Sequence, residues 1–386
     1  MVKEGYKHTA SGWTPEDWEV KKLGDLCSTF KSGVGITSEN ISNGGLYAVY
    51  GGNGLRGYTD KFTHNGEYLL IGRQGALCGN IIRINGKNYV SEHAIAVQAN
   101  PCNNNTFLAY KLDYLNLNRL SESSAQPGLS VEKLVRLKIS IPPLKEQISI
   151  GTVLFTWDKA IEKLQQLIAQ KELCKKVLMQ QLLAGKKRLP GFEEKWKYLP
   201  IKKIAQEVVL KNKEDKELIV LSCTKYDGLV SSLEYFGRKI FSNDLSPYKI
   251  VPQNTFAYAT NHIEEGSIGY QENYEEALIS PMYTVFETNE TINDKFLFRV
   301  LKSHFYIHEY QKRMEGSIDR RGGLRWDEFS KIKVPVPSLT EQNAIENILE
   351  IADKEIGLHK QQLFQLKEQK KGLMQELLTG KIRVKI

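Results

Sequence analysis

The sequence predicts a mixed α/β (α+β) protein: two globular domains in a pseudo-twofold arrangement, connected and spaced by two long antiparallel α-helices that pair as a coiled coil. Three observations carry that expectation. The stretch IPPLKEQISI…VLMQQLLAGKKR, beginning at Ile141, returns without a gap 195 positions later as VPSLTEQNAI…GLMQELLTGKIR, beginning at Val336. Both copies carry apolar residues at helical spacing. The segments between them hold short β-like runs such as YLLIGRQG, GNIIRI, HAIAVQ, KELIVLS and ISPMYTVFE, punctuated by Gly, Asn and Asp.

The repeat comes first because it sets the organisation. It carries Leu144, Glu146, Gln147, Asp158, Lys175, Lys176, Met179, Leu183 and Gly185 onto Leu339, Glu341, Gln342, Asp353, Lys370, Lys371, Met374, Leu378 and Gly380. A period of 195 residues is too long for a solenoid unit of about 20 to 50 residues, so a domain-plus-helix unit is duplicated. The expected domains are 1–143, a central helical region 144–190, a second globule 191–338 and a C-terminal helical region 339–386.

The helical stripes follow steps of three and four, with one double step of seven from Ile356 to Leu363. They comprise Leu154, Trp157, Ile161, Leu164 and Ile168 in the first copy, and Leu349, Ala352, Ile356, Leu363 and Leu366 in the second. Each helix opens after a Pro-rich strand end (Pro142, Pro143; Pro335, Pro337) and stops at Gly185 or Gly380, followed by basic residues. At about 40 residues each would span roughly 60 Å, too long to be buried inside one small domain. Pairing the two stripes buries them, and pseudo-twofold symmetry makes the pair antiparallel.

Composition bounds the function. The chain has 386 residues, 41% hydrophobic and 25% charged, an ordinary globular balance with no long apolar run and no secretory pattern at its start. Five cysteines (Cys27, Cys78, Cys102, Cys174, Cys223) without a C-x-x-C spacing argue against a disulfide framework or thiolate zinc site and suggest a cytoplasmic home. The charge of +8, from 53 basic against 45 acidic residues, favours a polyanionic partner only mildly.

Searches for catalytic motifs return nothing: no G-x-x-x-x-G-K-[ST], no H-E-x-x-H, no G-x-S-x-G, and no Asn-Pro-Pro-Tyr-type element for methylating amines. YGGNGLRGY (50–58) reads as a turn-rich loop. His304 and His308 stand four apart but lack a third ligand, so no metal is expected. No catalytic residue and no cofactor is assigned to the chain.

Basic and amide side chains are a different matter, because Arg, Asn and Gln are the residues that read base edges. The candidates are Arg56, Lys61, Arg73, Gln74 and Gln126 in the first globule, and Arg238, Lys239, Asn261, His262, Arg320, Arg321 and Arg325 in the second. The loop SESSAQPGLSVEKL (121–134) matches GSIDRRGGLRWDEF (316–329) at the same 195-residue offset, a polar loop leading into a short helix.

Over essentially its full length the chain resembles the DNA-specificity subunits of type I restriction-modification systems. The opening YKHTASGWTPEDWEVKKLGDL, the IPPLKEQ and VPSLTEQ junctions and the helix ends QQLLAGKKR and QELLTGKIR carry the resemblance, joined by YLLIGRQGALCG, SEHAIAV, FAYATNHIEEGSIGY and SPMYTVFE. It implies that each globule reads one half of a bipartite, asymmetric site in double-stranded DNA, with the helices setting an unread spacer. It further implies two methylation subunits, which bind S-adenosylmethionine and modify one adenine per half-site, and two restriction subunits, which use ATP and Mg. The methylation subunits would dock on the helices, whose polar faces carry Lys163, Lys171, Glu172, Lys354, Lys360 and Lys367. SAQPGLS in the first loop against DRRGGLR in the second implies two different half-sequences. Alternatives are, within the same resemblance, the specificity subunit of a methylation-only system, and, from another class, a protein-binding coiled-coil scaffold.

Overall fold

The computed structural model describes residues 4–9, 12–75, 77–121, 128–315 and 323–385. The chain divides into two compact units: Met1–Leu167 with His359–Ile386, and Ile168–Leu358. Each unit therefore takes part of both long helices, Leu144–Leu182 (39 residues) and Leu339–Thr379 (41 residues).

Within the first unit one four-stranded sheet runs in the order Cys27–Ser32, Ala94–Ala99, Tyr68–Gly72, Ile81–Ile84, all antiparallel. A second runs Gly54–Thr59, Tyr47–Gly51, Lys87–Val90, His64–Asn65, with Tyr47–Gly51 and Lys87–Val90 parallel. The second unit repeats both orders. Its antiparallel sheet is Ala205–Glu207, Tyr283–Thr288, Thr255–Ala259, Ile268–Gln271. Its mixed sheet is Gly228–Ser231, Val220–Thr224, Glu276–Ile279, Lys249–Pro252, with Val220–Thr224 and Glu276–Ile279 parallel. A two-stranded ribbon precedes each long helix, pairing Lys138–Ile141 with Glu19–Lys22 and Lys333–Val336 with Lys197–Pro200. The duplication thus extends through the globular parts, down to strands of two to six residues.

Each unit buries its own core. In the first, Trp18, Leu69, Ile95, Phe107, Leu154 and Leu378 pack together. In the second, Phe256 stacks on Phe286 with ring centroids 4.8 Å apart, among Tyr258, Phe296, Phe329 and Leu349. Of the apolar stripe, Leu154, Leu164, Ile168, Leu349 and Ile356 are buried, whereas Trp157, Ile161, Ala352, Leu363 and Leu366 are half-buried. The helices end as their glycines require: Gly185 and Gly380 sit at φ +64° and +74°. A Cβ on Gly380 would meet Pro15 Cγ at 2.5 Å.

The polar residues of the repeat are clamps between helix and globule. Buried Glu146 accepts from Arg383 and from Trp18 Nε1, and Glu341 accepts from Arg188 and Trp196 Nε1 in the same pattern. Gln147 and Gln342 each accept from the N-cap residue of a globular helix, Asn104 N at 2.9 Å and Asn293 N at 2.6 Å. Those two asparagines in turn cap Phe107 N and Phe296 N. Asp158 takes Lys370, Tyr110 and Arg83, while Asp353 takes Lys175 and Arg299. Within each unit higher numbers on one helix meet lower numbers on the other, so the segments run antiparallel. In the first unit the pairs are Glu146 with Arg383 and Asp158 with Lys370; in the second, Lys171 with Glu355 and Arg188 with Glu341. Among the described residues no helix is long and apolar enough to cross a membrane.

Candidate nucleic-acid interface

In each unit the same strand of the antiparallel sheet runs out into a polar dipeptide that holds the loop preceding a short helix. In the first, Tyr68–Gly72 continues into Arg73 and Gln74; Arg73 O accepts from Leu129 N at 2.9 Å and Gln74 pairs with Gly128. In the second, Thr255–Ala259 continues into Thr260 and Asn261, and Thr260 O accepts from Leu324 N at 2.9 Å. Leu129 and Leu324 stand 195 positions apart, so the loop match found in the sequence is also a match in space. Gly323 is required here. Its φ is +65°, and a Cβ would lie 2.4 Å from Asn261 Oδ1 and 2.5 Å from Thr260 O.

The junction gathers predicted residues from distant parts of the chain. Gln74 is exposed and its Oε1 lies 3.1 Å from His93 Nδ1, while Arg73 is half-buried beside it. Asn261 and exposed Arg325 line one cleft of about 450 Å³ with Lys249, Thr284, Glu207 and Asp327. Gln126, Arg320 and Arg321 lie outside the described residues. The side chains of Arg56, Lys61, Arg73, Arg238 and Arg325 have no hydrogen-bond or ion-pair partner among the described residues, which leaves their charges open to a phosphate.

Other candidates sit apart from that junction. Arg56 lies on the hairpin of Tyr47–Gly51 and Gly54–Thr59, whose turn packs against the junction: a Cβ on Gly52 would meet Gly72 Cα at 3.0 Å and Arg73 N at 3.3 Å. Lys61 is in the exposed loop after it. Arg238 and Lys239 follow the short helix Ser232–Phe236, and Lys239 donates to Asn243 Oδ1 at 2.8 Å. His262 has acidic surroundings: its ring and the carboxylates of Glu264 and Glu265 offer ligand atoms within 4.8 Å of one another, a set that suits a cation better than a phosphate.

Lys225 and Tyr226 are not among the sequence candidates. They form the turn between Val220–Thr224 and Gly228–Ser231, equivalent to Gly52 and Asn53 in the first unit, and Tyr226 is 81% exposed. The signal was there in KYDG, a turn sequence between two apolar runs. Glu207 and Asp327, which line the same cleft as Arg325, carry the charge opposite to that of the arginine and lysine candidates.

Two topologically equal α/β units, each clamped to antiparallel helix segments and each presenting a loop-and-strand junction with an amide side chain and an arginine unpaired among the described residues, define a duplicated recognition protein. The family model "Type I restriction modification DNA specificity domain" matches residues 15–172 and again 194–368, and the chain belongs to that family. As a specificity subunit it is not itself catalytic. It is 39% identical over 158 residues to the type I restriction enzyme EcoprrI specificity subunit of Escherichia coli, a match covering 40% of this chain and 39% of that one. It is 24% identical over 431 aligned positions to the MjaVIII specificity subunit of Methanocaldococcus jannaschii, covering 99% and 97%. Its fold is similar to the type I S subunit from M. genitalium, with a TM-score of 0.62 at 18% identity over 93% of this chain and 96% of that one. It is also similar to the HsdS subunit from Thermoanaerobacter tengcongensis, with a TM-score of 0.54 at 14% identity over 97% and 100%.

Proposed function

We propose that each unit reads one half of a bipartite, asymmetric DNA site, and that the two long helices fix the number of unread base pairs between the halves. The observation that carries this is the junction described above. It recurs at the same topological position in both units but is built from different residues, Arg73 and Gln74 in one and Thr260 and Asn261 in the other. One scaffold with two chemistries suits two different half-sequences. A helix of 39 residues spans about 58 Å, so length inserted into it changes the spacer.

The chain supplies recognition and no cofactor chemistry. Methylation subunits, two per chain, bring S-adenosylmethionine to one adenine per half-site, and two restriction subunits bring ATP and Mg. Their assembly takes place in the cytoplasm, on DNA. The test is single-molecule mapping of modified adenines in cells with and without this gene, followed by exchange of residues 191–338 for those of a relative. A split motif that vanishes with the gene, and of which only one half changes on exchange, supports the reading. A methylation map that ignores both manipulations sinks it.

A further inference from the structure

The cleft of the second unit has a polarity unlike that of a phosphate site. Its lining sets the carboxylates of Glu207 and Asp327 against the cations of Lys249 and Arg325. Lys249 is already engaged, donating to Tyr283 O at 2.5 Å. Glu207 and Asp327 are exposed and have no hydrogen-bond or ion-pair partner among the described residues. Ionised carboxylates only accept hydrogen bonds, so two free ones repel a phosphate and await a neutral group with N–H donors.

A second feature lies behind the same wall. Tyr258 is 0% exposed, and its hydroxyl has no hydrogen-bond partner among the described residues. It pairs across the sheet with Thr284, which lines the cleft, so both side chains leave the same face. Trp326, whose ring lies 5.4 Å from that of Phe286, packs on this face and supplies the apolar side of the cleft.

We propose that this cleft recognises the exocyclic amine of one base in the second half-site, adenine N6 or cytosine N4, with Glu207 and Asp327 as acceptors and the Asn261 amide beside them. The inference rests on the DNA-reading function above. It moves the base discrimination of this unit from its arginines to its carboxylates. Arg325, with no partner among the described residues, then serves the neighbouring backbone.

The test uses the full chain with its methylation subunits, bound to a duplex carrying the mapped site. Each adenine of the second half is replaced in turn by purine and each cytosine by 2-pyrimidinone, which lack only the amine. Affinity should fall about tenfold or more at one position, whose identity separates adenine from cytosine. Glu207→Gln or Asp327→Asn should lose a similar factor on the natural duplex and lose little more on the amine-free one. Unchanged melting temperature and unchanged reading of the first half show that the variants are folded. Wild-type affinity and base preference in both variants, or an amine penalty that stays full in both, overturns the inference while leaving DNA reading intact. No site-specific binding by the unaltered complex overturns both.

Discussion

Arg383 and Glu146, 237 residues apart in sequence, are joined by two hydrogen bonds of 2.7 Å each, from Nε and Nη2. The Glu146 side chain is 0% exposed and that of Arg383 is 40% exposed. Removing the guanidinium strands a buried carboxylate with Trp18 Nε1 as its remaining donor. Arg383→Ala should therefore destabilise the first unit by about 2 kcal/mol, below the usual cost of breaking a fully buried pair because Arg383 itself is half in water. Urea unfolding followed by tryptophan fluorescence checks this. Arg188→Ala should do the same to the second unit through Glu341.

Acid should loosen the clamps. Burial opposes ionisation of Asp158, but Lys370, Tyr110 and Arg83 outweigh it and hold its pKa below the ordinary aspartate value. Lys175 and Arg299 do so for Asp353. A carboxylate whose pKa is lower folded than unfolded contributes stability that is complete above the unfolded value, near 4, and is lost as pH falls through the folded one. Denaturation midpoints should drop between about pH 5 and 3, and Asp353→Asn should flatten that drop. An equal slope in the variant counts against the clamp.

Lys111 behaves in the opposite sense. It is buried, donates to Leu378 O at 2.7 Å, and burial lowers its pKa to about 8. Between that value and the unfolded one near 10.4 the unfolded chain binds more protons, so stability contributed by this residue rises with pH across the window. The difference in unfolding free energy between wild type and Lys111→Met should shift in favour of wild type from pH 8 to 10. Taking the difference cancels Cys27 and Cys223, whose thiols burial pushes up to about 12.

Backbone and base contacts should separate by their salt dependence. Arg238→Ala with Lys239→Ala should weaken binding on every sequence alike and reduce the slope of log K against log salt by about one per lost phosphate contact. Asn261→Ala should instead relax the second half-site at one position and leave the slope unchanged. Fluorescence anisotropy on matched and mismatched duplexes at several salt concentrations distinguishes the two behaviours.

Gly323→Ala combines a left-handed backbone with a Cβ placed 2.4 Å from Asn261 Oδ1. The loop must shift, so reading of the second half-site should weaken by tenfold or more while the melting temperature moves little. An unaltered second half in this variant argues against the junction as the reading element.

How much of this was legible in the letters depended on the range of the interactions. The long helices, their ends at Gly185 and Gly380 and their antiparallel sense within each unit followed from a 3.6-residue stripe and the 195-residue repeat, both local or self-evident signals. Glu146, Gln147 and Asp158 stood out only as repeated letters, since their partners Arg383, Asn104 and Lys370 lie between 43 and 237 residues away. The twin sheets were invisible because Ala94–Ala99 and Tyr283–Thr288 share a sheet position without sharing a sequence, burial being satisfied by many apolar choices. At the interface, Arg73, Gln74, Asn261 and Arg325 were picked for chemistry alone and prove to flank equivalent junctions. Arg56, Lys61, Arg238 and Lys239 occupy other ground, and the carboxylates Glu207 and Asp327 have the opposite charge to a phosphate-binding pattern.

The first unit is completed by residues that the ribosome makes only after the whole of the second unit. Leu377 and Leu378 seal the core around Phe107 and Leu154, and they follow the whole of the second unit in the chain. A nascent chain thus finishes the contiguous second unit while the first still shows open apolar surface. Contacts of such long sequence separation form slowly. The window between the two events is when this protein is most exposed to proteases and to its own copies, and stopping translation within the last helix would leave one half able to fold and the other waiting.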